Sequence, residues 1–107
     1  MDLIYLNRIS TDNKNQNPQS NYDTTNNWCK YQNHKIKFII VDNGVSGSIP
    51  YYERPEASKI DAIVKEYQEK GKEIGIVVFS IDRFSREHPL KAMQNIYHFK
   101  DMGIPIF

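Results

Sequence analysis

Cysteine and long apolar runs are nearly absent from this 107-residue chain. The single cysteine, Cys29, excludes an internal disulfide and a metal site built from several thiolates, and we expect its thiol to be buried and inert. The longest apolar runs, Leu3–Leu6 and Phe38–Val41, are far too short to span a bilayer. Asp2 replaces the basic start of a secretion signal, so we expect an intracellular, cytoplasmic protein.

Net charge and arginine are scarce as well. The formal charge of +1 argues against the broad basic face of nonspecific duplex binders. The arginines are confined to three short clusters, each beside a serine or a carboxylate, and they are Arg8, Arg54, Arg83 and Arg86. A guanidinium group matches phosphate oxygens two at a time and stays ionised in any pocket. The clusters therefore predict a phosphate held next to a nucleophile.

Hydrophobic periodicity predicts strands that alternate with helices. The expected strands are Leu3–Ile9, Lys35–Val41, Ile74–Ile81 and a fourth beginning at Ile104, and the expected helices are Pro18 to about Tyr31, Glu56–Lys70 and Pro89–Asp101. The run Phe38–Val41 predicts a strand buried on both faces. The last helix has one apolar face, made by Leu90, Met93, Ile96 and Tyr97. This order predicts a three-layer, doubly wound α/β domain with a mainly parallel sheet of about four strands and helices on both faces.

The arginine clusters follow the carboxyl ends of the first three expected strands, at the edge where open α/β sheets bind ligands. Arg8 and Ser10 are two residues apart at a strand end, so both side chains point to one face. A serine hydroxyl needs activation, and no motif ties a histidine to Ser10. We therefore expect Arg8, Arg83 and Arg86 to surround a phosphate and to stabilise its charge in the transition state.

Four segments, in this order, resemble the catalytic domain of serine recombinases, the family of resolvases, invertases and large serine integrases. They are Tyr-Leu-Asn-Arg-Ile-Ser-Thr-Asp at 5–12, Val-Asp-Asn-Gly-Val-Ser-Gly at 41–47, Arg-Pro at 54–55 and Ile-Asp-Arg-Phe-Ser-Arg at 81–86. The resemblance implies DNA recombination or transposition by a transesterification that needs neither metal nor cofactor. Ser10 would attack a DNA phosphodiester, form a 5′-phosphoserine link and release a 3′ hydroxyl.

The resemblance also implies a set of site residues. They are the catalytic Ser10, Arg8, Asp82, Arg83 and Arg86, and the supporting Gln19, Asp42, Ser46 and Arg54. The arginines would bind the scissile phosphate, with Arg54 close to it. Asp82 would assist proton transfer or orient an arginine, whereas Asp42 and Ser46 would order the neighbouring loop. Leu6 stands where the family has a tyrosine, and we expect Tyr5 to face the other way.

The family pairs its subunits through a long helix and binds DNA through a further region, and residues 1–107 contain only the catalytic part. We therefore expect a monomer or weak dimer with weak, salt-sensitive binding to DNA, and no membrane contact. Two acids, Asp42 and Asp82, among four arginines make a poor cage for a hard cation, so no metal site is predicted.

Other interpretations stay open at this level. Ser10 alone is also typical of a helix N-cap, and Arg54 before Pro55 is also typical of a solvent-facing charge at a helix start. The chain could be a truncated, non-catalytic relic that pairs with a recombinase as a regulatory module. It could also be an unrelated doubly wound domain that binds a phosphate ligand, although no glycine-rich phosphate loop follows the first strand.

Overall fold

The fold was taken from a computed structural model, which describes residues 1–9, 18–44, 49–79 and 89–107. Within these ranges the regular elements are three strands and three α-helices. The strands are Asp2–Ile9 (β1), Lys35–Asn43 (β2) and Ile74–Val78 (β3), and the helices are Pro18–Tyr31 (α1), Ile60–Glu69 (α2) and Pro89–Asp101 (α3). Short 3-10 turns at Tyr51–Glu53 and Ala57–Lys59 lead from β2 into α2. None of the helices in the described ranges is long and apolar enough to cross a membrane.

The first strand lies at the centre of the sheet, in the order β2-β1-β3. It pairs in parallel with both neighbours, with Asp2 opposite Lys35 and Ile74 at one end and Arg8 opposite Asp42 at the other. A fourth parallel strand begins beside β3, since Ile76 bridges Ile106. The predicted doubly wound, parallel α/β fold is therefore confirmed.

Alternate residues of β1 belong to two separate cores. Ile4 and Leu6 pack in the larger core on the side of α2 and α3, and Leu3 and Tyr5 pack in a smaller core against α1. The expectation that Tyr5 faces away from Arg8 agrees with this alternation. Cys29 belongs to the smaller core, where burial raises the pKa of its thiol, so the expected buried thiol is confirmed.

All three helices end in the same hydrogen-bonded motif, with one residue in the left-handed region. These residues are Asn33, Gly71 and Gly103, with φ of 61°, 66° and 78°. After α2, for example, Gly71 N donates to Gln68 O at 3.1 Å and Lys72 N donates to Tyr67 O at 2.9 Å. This Schellman pattern satisfies the last helical carbonyls, which explains why α3 ends at Asp101 as predicted and α1 ends at Tyr31, close to the expected end.

The expectation that β2 is buried on both faces is wrong. Among the described strands β2 pairs only with β1, which makes it an edge strand, and α1 leaves Ile39 60% exposed. On the predicted apolar face of α3, Leu90, Met93 and Tyr97 are exposed, whereas Ile96 packs against the larger core, in which Phe99 is buried. β3 is also shorter than predicted, ending at Val78, and residues 80 and 81 lie outside the described ranges.

Candidate active site

Buried charge marks the carboxyl ends of β1 and β2. Arg8 and Asp42 are register partners on these neighbouring strands, and each is only 1% exposed. Register partners in a parallel pair point to the same face, which here is the face of α2. Because burying an ion costs several kcal/mol, roughly, unless it is paired and hydrogen-bonded, buried charges of this kind are uncommon. The sheet therefore has a polar edge at the place where the sequence predicts a phosphate site.

The carboxylate of Asp42 holds the start of the helical segment that leads into α2. Its two oxygens accept hydrogen bonds from the backbone N–H groups of Glu56, at 2.8 Å, and of Ala57, at 3.1 Å. A carboxylate at the beginning of a helical turn satisfies N–H groups that have no partner within the helix, and its charge is favoured there. Asp42 thus ties the segment after Arg54 to the end of β2.

Arg54 is completely buried, which overturns its interpretation as a solvent-facing charge. Its Nε donates to the carbonyl oxygen of Ile49 at 2.9 Å. Its own backbone joins two turns, since Arg54 N donates to Tyr51 O at 3.1 Å and Arg54 O accepts from Ser58 N at 3.2 Å. Arg54 is therefore built into the connection between β2 and α2.

Gln19 lies on the other face of the sheet from Asp42. It is exposed in the first turn of α1, where its Nε2 donates to Asp23 Oδ1 at 2.9 Å. It also lines a cavity of about 340 Å³ together with Tyr5, Asn7 and other residues of the α1 face. Of the predicted site residues that the structure describes, Arg8, Asp42 and Arg54 lie at one edge on the α2 side, and Gln19 stands apart from them across the sheet.

Five predicted site residues lie outside the described ranges. They are Ser10, Ser46, Asp82, Arg83 and Arg86. The predicted pocket that joins these residues to Arg8 therefore stays a prediction. What the described residues establish is the scaffold around it, namely the end of β1 that leads into Ser10 and the start of α3, which follows Arg86 in the chain.

Two residues of this region were not predicted from the sequence. Asn7 is 1% exposed, and its Oδ1 accepts the backbone N–H of Arg8 at 2.8 Å. Tyr51 is buried in the larger core, and its hydroxyl donates to Asp61 Oδ1 at 3.3 Å. Burial, followed by the charge of Asp61, raises the pKa of Tyr51 well above its usual range. The only local signal for Tyr51 in the sequence is its own position, three residues before Arg54.

The sequence as a whole identifies the family of the domain that carries this edge. Residues 3–107 match the model of the family described as "Resolvase, N terminal domain". The chain belongs to this family. The resemblance to serine recombinases found in the sequence is thus confirmed, and the resolvase-type domain belongs to a family of site-specific DNA recombination. None of the curated proteins matches this resolvase-type domain in sequence.

Solved structures show the same fold. The N-terminal catalytic domain of TP901-1 integrase superposes with a TM-score of 0.81 at 18% identity, and the comparison covers 100% of the resolvase-type domain and 75% of the other chain. The C-terminal catalytic domain of ISC1926 TnpA, an IS607-like serine recombinase, gives a TM-score of 0.73 at 15% identity, covering 100% of this chain and 66% of that one. At such low identity the likeness supports the architecture, and the chemistry has to be argued from this chain's own residues.

Proposed function

We propose that residues 1–107 form a catalytic domain that cuts and rejoins DNA through Ser10. The Oγ of Ser10 attacks a phosphodiester phosphorus, the bond from phosphorus to the 3′ oxygen breaks, and a 5′-phosphoserine link forms. The serine proton is released and the departing 3′ oxygen takes up a proton, so a 3′ hydroxyl is left. Rejoining reverses these steps with another 3′ hydroxyl as the nucleophile. The family membership and the buried arginine two residues before Ser10 support this proposal.

The buried position of Arg8 beside Asp42 is the observation that carries the proposal furthest. A guanidinium group fixed at a strand end has little freedom left to lose when it meets a phosphate. Arg8, Arg83 and Arg86 then bind the scissile phosphate and stabilise its charge in the transition state, while Asp82 assists proton transfer or orients an arginine.

The remaining site residues have supporting roles in this proposal. Asp42 and Ser46 order the loop after β2, and the two hydrogen bonds from the backbone to Asp42 support its part. Arg54 acts from within that connection, near the phosphate. Gln19 contributes from the α1 side of the sheet, where it lines the cavity beside Asn7. We propose a cytoplasmic location, because the reaction needs access to DNA.

Covalent capture of DNA tests the chemistry directly. The chain, and a fusion of it to a dimerising DNA-binding module, are incubated with duplexes that carry a nick next to the cleavage site, so that a cut strand cannot be rejoined. We expect a protein–DNA adduct whose mass and fragmentation locate the phosphate on Ser10. Ser10→Ala should abolish it, and Ser20→Ala, on the exposed side of α1, should leave it unchanged. Absence of an adduct in both forms would overturn the proposal.

Exchange of arginine for lysine tests how the phosphate is held. Arg83→Lys keeps the charge but loses the fork, so we expect the adduct to form at least about 100-fold more slowly while the unfolding temperature is unchanged. Equal rates would show that Arg83 is only a surface charge.

The exposed apolar face of α3 favours a second role in association. Leu90, Met93 and Tyr97 lie along one side of this helix and are exposed in the single chain. A pairing module without catalytic activity would use such a surface, and this second role predicts self-association without any adduct.

For the isolated chain we expect a monomer or weak dimer, and DNA binding that is quickly lost as salt increases. Sedimentation and binding titrations at two salt concentrations measure both, and a tight, salt-resistant dimer would contradict this expectation.

A further inference from the structure

Tyr51 connects three parts of the molecule that are far apart in the chain. It is only 3% exposed, and its ring lies against Phe99 of α3 with the centroids 5.1 Å apart. Its hydroxyl reaches Asp61 in the first turn of α2 at 3.3 Å. The residue itself starts the 3-10 turn between β2 and α2. A single side chain therefore holds this turn against both helices of the larger core.

The same turn contains Arg54. The carbonyl oxygen of Tyr51 accepts the backbone N–H of Arg54 at 3.1 Å, and Arg54 Nε in turn donates to the carbonyl oxygen of Ile49. The backbone on both sides of Tyr51 is thus bonded to Arg54. A displacement of the Tyr51 ring would move the carbonyl groups that hold the arginine.

The contact between Tyr51 and Phe99 joins the turn of Arg54 to α3. Phe99 belongs to α3, the helix that follows directly after the segment with Asp82, Arg83 and Arg86. We propose that Tyr51 is a positioning residue that fixes the turn of Arg54 against α3. Arg54 is thereby held in place relative to the helix that follows Arg83 and Arg86. The effect of Tyr51 on DNA cleavage rests on the function proposed above. Its effect on the geometry of Arg54 does not, and the two are measured separately.

The chain offers a matched control at the other end of β1. Tyr67 also donates its hydroxyl to a carboxylate, Asp2 Oδ2, at 2.9 Å. This hydrogen bond joins α2 to the amino end of β1, whereas Arg8 lies at the carboxyl end. Tyr51→Phe and Tyr67→Phe therefore remove the same chemical group from two hydrogen bonds of the same kind, and only the first bond belongs to the turn of Arg54.

The first measurement follows Arg54 itself. The Nε–H of Arg54 is buried and hydrogen-bonded, so its exchange with solvent in NMR spectra reports opening of this turn. We expect Tyr51→Phe to speed this exchange about threefold or more, as loss of one hydrogen bond allows, and Tyr51→Leu to speed it further. Tyr67→Phe should leave the exchange unchanged even where it lowers the unfolding temperature equally. Equal acceleration in both phenylalanine variants would overturn the proposal, because Tyr51 would then act only through overall stability.

The second measurement uses the DNA adduct formed by the fusion at saturating substrate. We expect Tyr51→Phe to slow adduct formation about threefold at unchanged DNA affinity, Tyr51→Leu to slow it more, and Tyr67→Phe to have no effect. If the parent protein forms no adduct, the proposed function fails while the exchange measurement still decides the role of Tyr51. If the parent protein is active and Tyr51→Leu cuts at the parent rate, the positioning role fails alone.

Discussion

The two ends of β1 treat polar groups in opposite ways. At the amino end, Asp2 is partly exposed and accepts one hydrogen bond, from the hydroxyl of Tyr67. At the carboxyl end, Arg8 and its register partner Asp42 are buried, and Arg54 is buried in the connection that Asp42 ties down. Every buried charged residue in the described ranges therefore belongs to the carboxyl-edge group.

This difference shows where the fold accepts the cost of desolvation. A salt bridge or hydrogen bond at the surface is cheap to form and contributes little, whereas a buried charge destabilises the fold unless its partners are held in place. At the amino end of β1 the carboxylate stays partly in water, so little desolvation is needed. The carboxyl end keeps charges out of water, where their electric field is screened less and would attract an anion more strongly. The asymmetry thus agrees with a binding edge at the carboxyl ends of the strands.

Removing the acid at each end should give the largest contrast. We expect Asp42→Ala to lower the free energy of unfolding by about 3 kcal/mol, because it leaves two backbone N–H groups without an acceptor and takes a carboxylate from the face of Arg8. Asp2→Ala removes one partly exposed acceptor and should cost at most about 1 kcal/mol. Thermal unfolding followed by circular dichroism measures both, and equal losses would mean that the two ends do not differ.

Alkaline pH should destabilise the folded chain through Tyr51 and Tyr67. Burial raises the pKa of Tyr51, and burial and the hydrogen bond to Asp2 raise that of Tyr67, so the unfolded chain loses these protons first. Their contribution to stability is complete below about pH 10, the usual pKa of tyrosine, and is lost as the pH rises towards the raised pKa of the folded state. The free energy of unfolding, measured with urea at several pH values in this range, should fall less steeply with pH in Tyr51→Phe than in the parent chain. A slope equal to that of the parent chain would contradict the raised pKa.

Arg54→Lys sharpens the comparison at the level of one hydrogen bond. Lysine keeps the charge but has no Nε–H in the place that reaches Ile49 O, so we expect a loss of about 1 kcal/mol in urea unfolding. The reverse exchange at an exposed position, Lys72→Arg, should change stability by no more than about 0.3 kcal/mol. A neutral result for Arg54→Lys would show that its guanidinium group is held by charge alone.

The smallest effect is expected for an exposed ion pair. Lys70 Nζ lies 2.9 Å from Glu66 Oε1 at the end of α2, and both side chains are exposed. We expect Lys70→Ala to cost about 0.3 kcal/mol, and less in high salt, because water and ions screen the pair. A loss as large as that for Asp42→Ala would remove the distinction between surface charge and buried charge on which the comparison depends.

Local chemistry made the elements predictable from the sequence. Pro18 and Pro89 start helices, and Asn33 and Gly103 follow their ends in the left-handed conformation, so the bounds of α1 and α3 agree with the prediction. The positions of Arg8 and Asp42 at strand ends were predictable for the same reason. Each of these features depends on residues within one or two turns of the chain.

Contacts between distant segments explain what the sequence did not reveal. A continuous apolar run such as Phe38–Val41 has the same pattern in a central strand and in an edge strand. The strand order that exposes Ile39 depends instead on how β1 pairs with β2 and β3, which are distant from it in the chain. The burial of Arg54 depends on a turn that Asp42 ties down from 14 and 15 residues away, through Glu56 and Ala57. The role of Tyr51 depends on Phe99, on another helix.

The central place of β1 has a consequence for the order of events during synthesis. β1 is synthesised before both of its partners, and the later of them, β3, is Ile74–Val78. At 5–20 residues per second, roughly, several seconds pass before that partner is made. During this time the apolar residues of β1 have β2 alone to pair with, and the nascent chain exposes an open strand edge. Fast pairing of β1 with β2 would therefore cover one of the two edges of β1, while the other edge stays open until β3 is made.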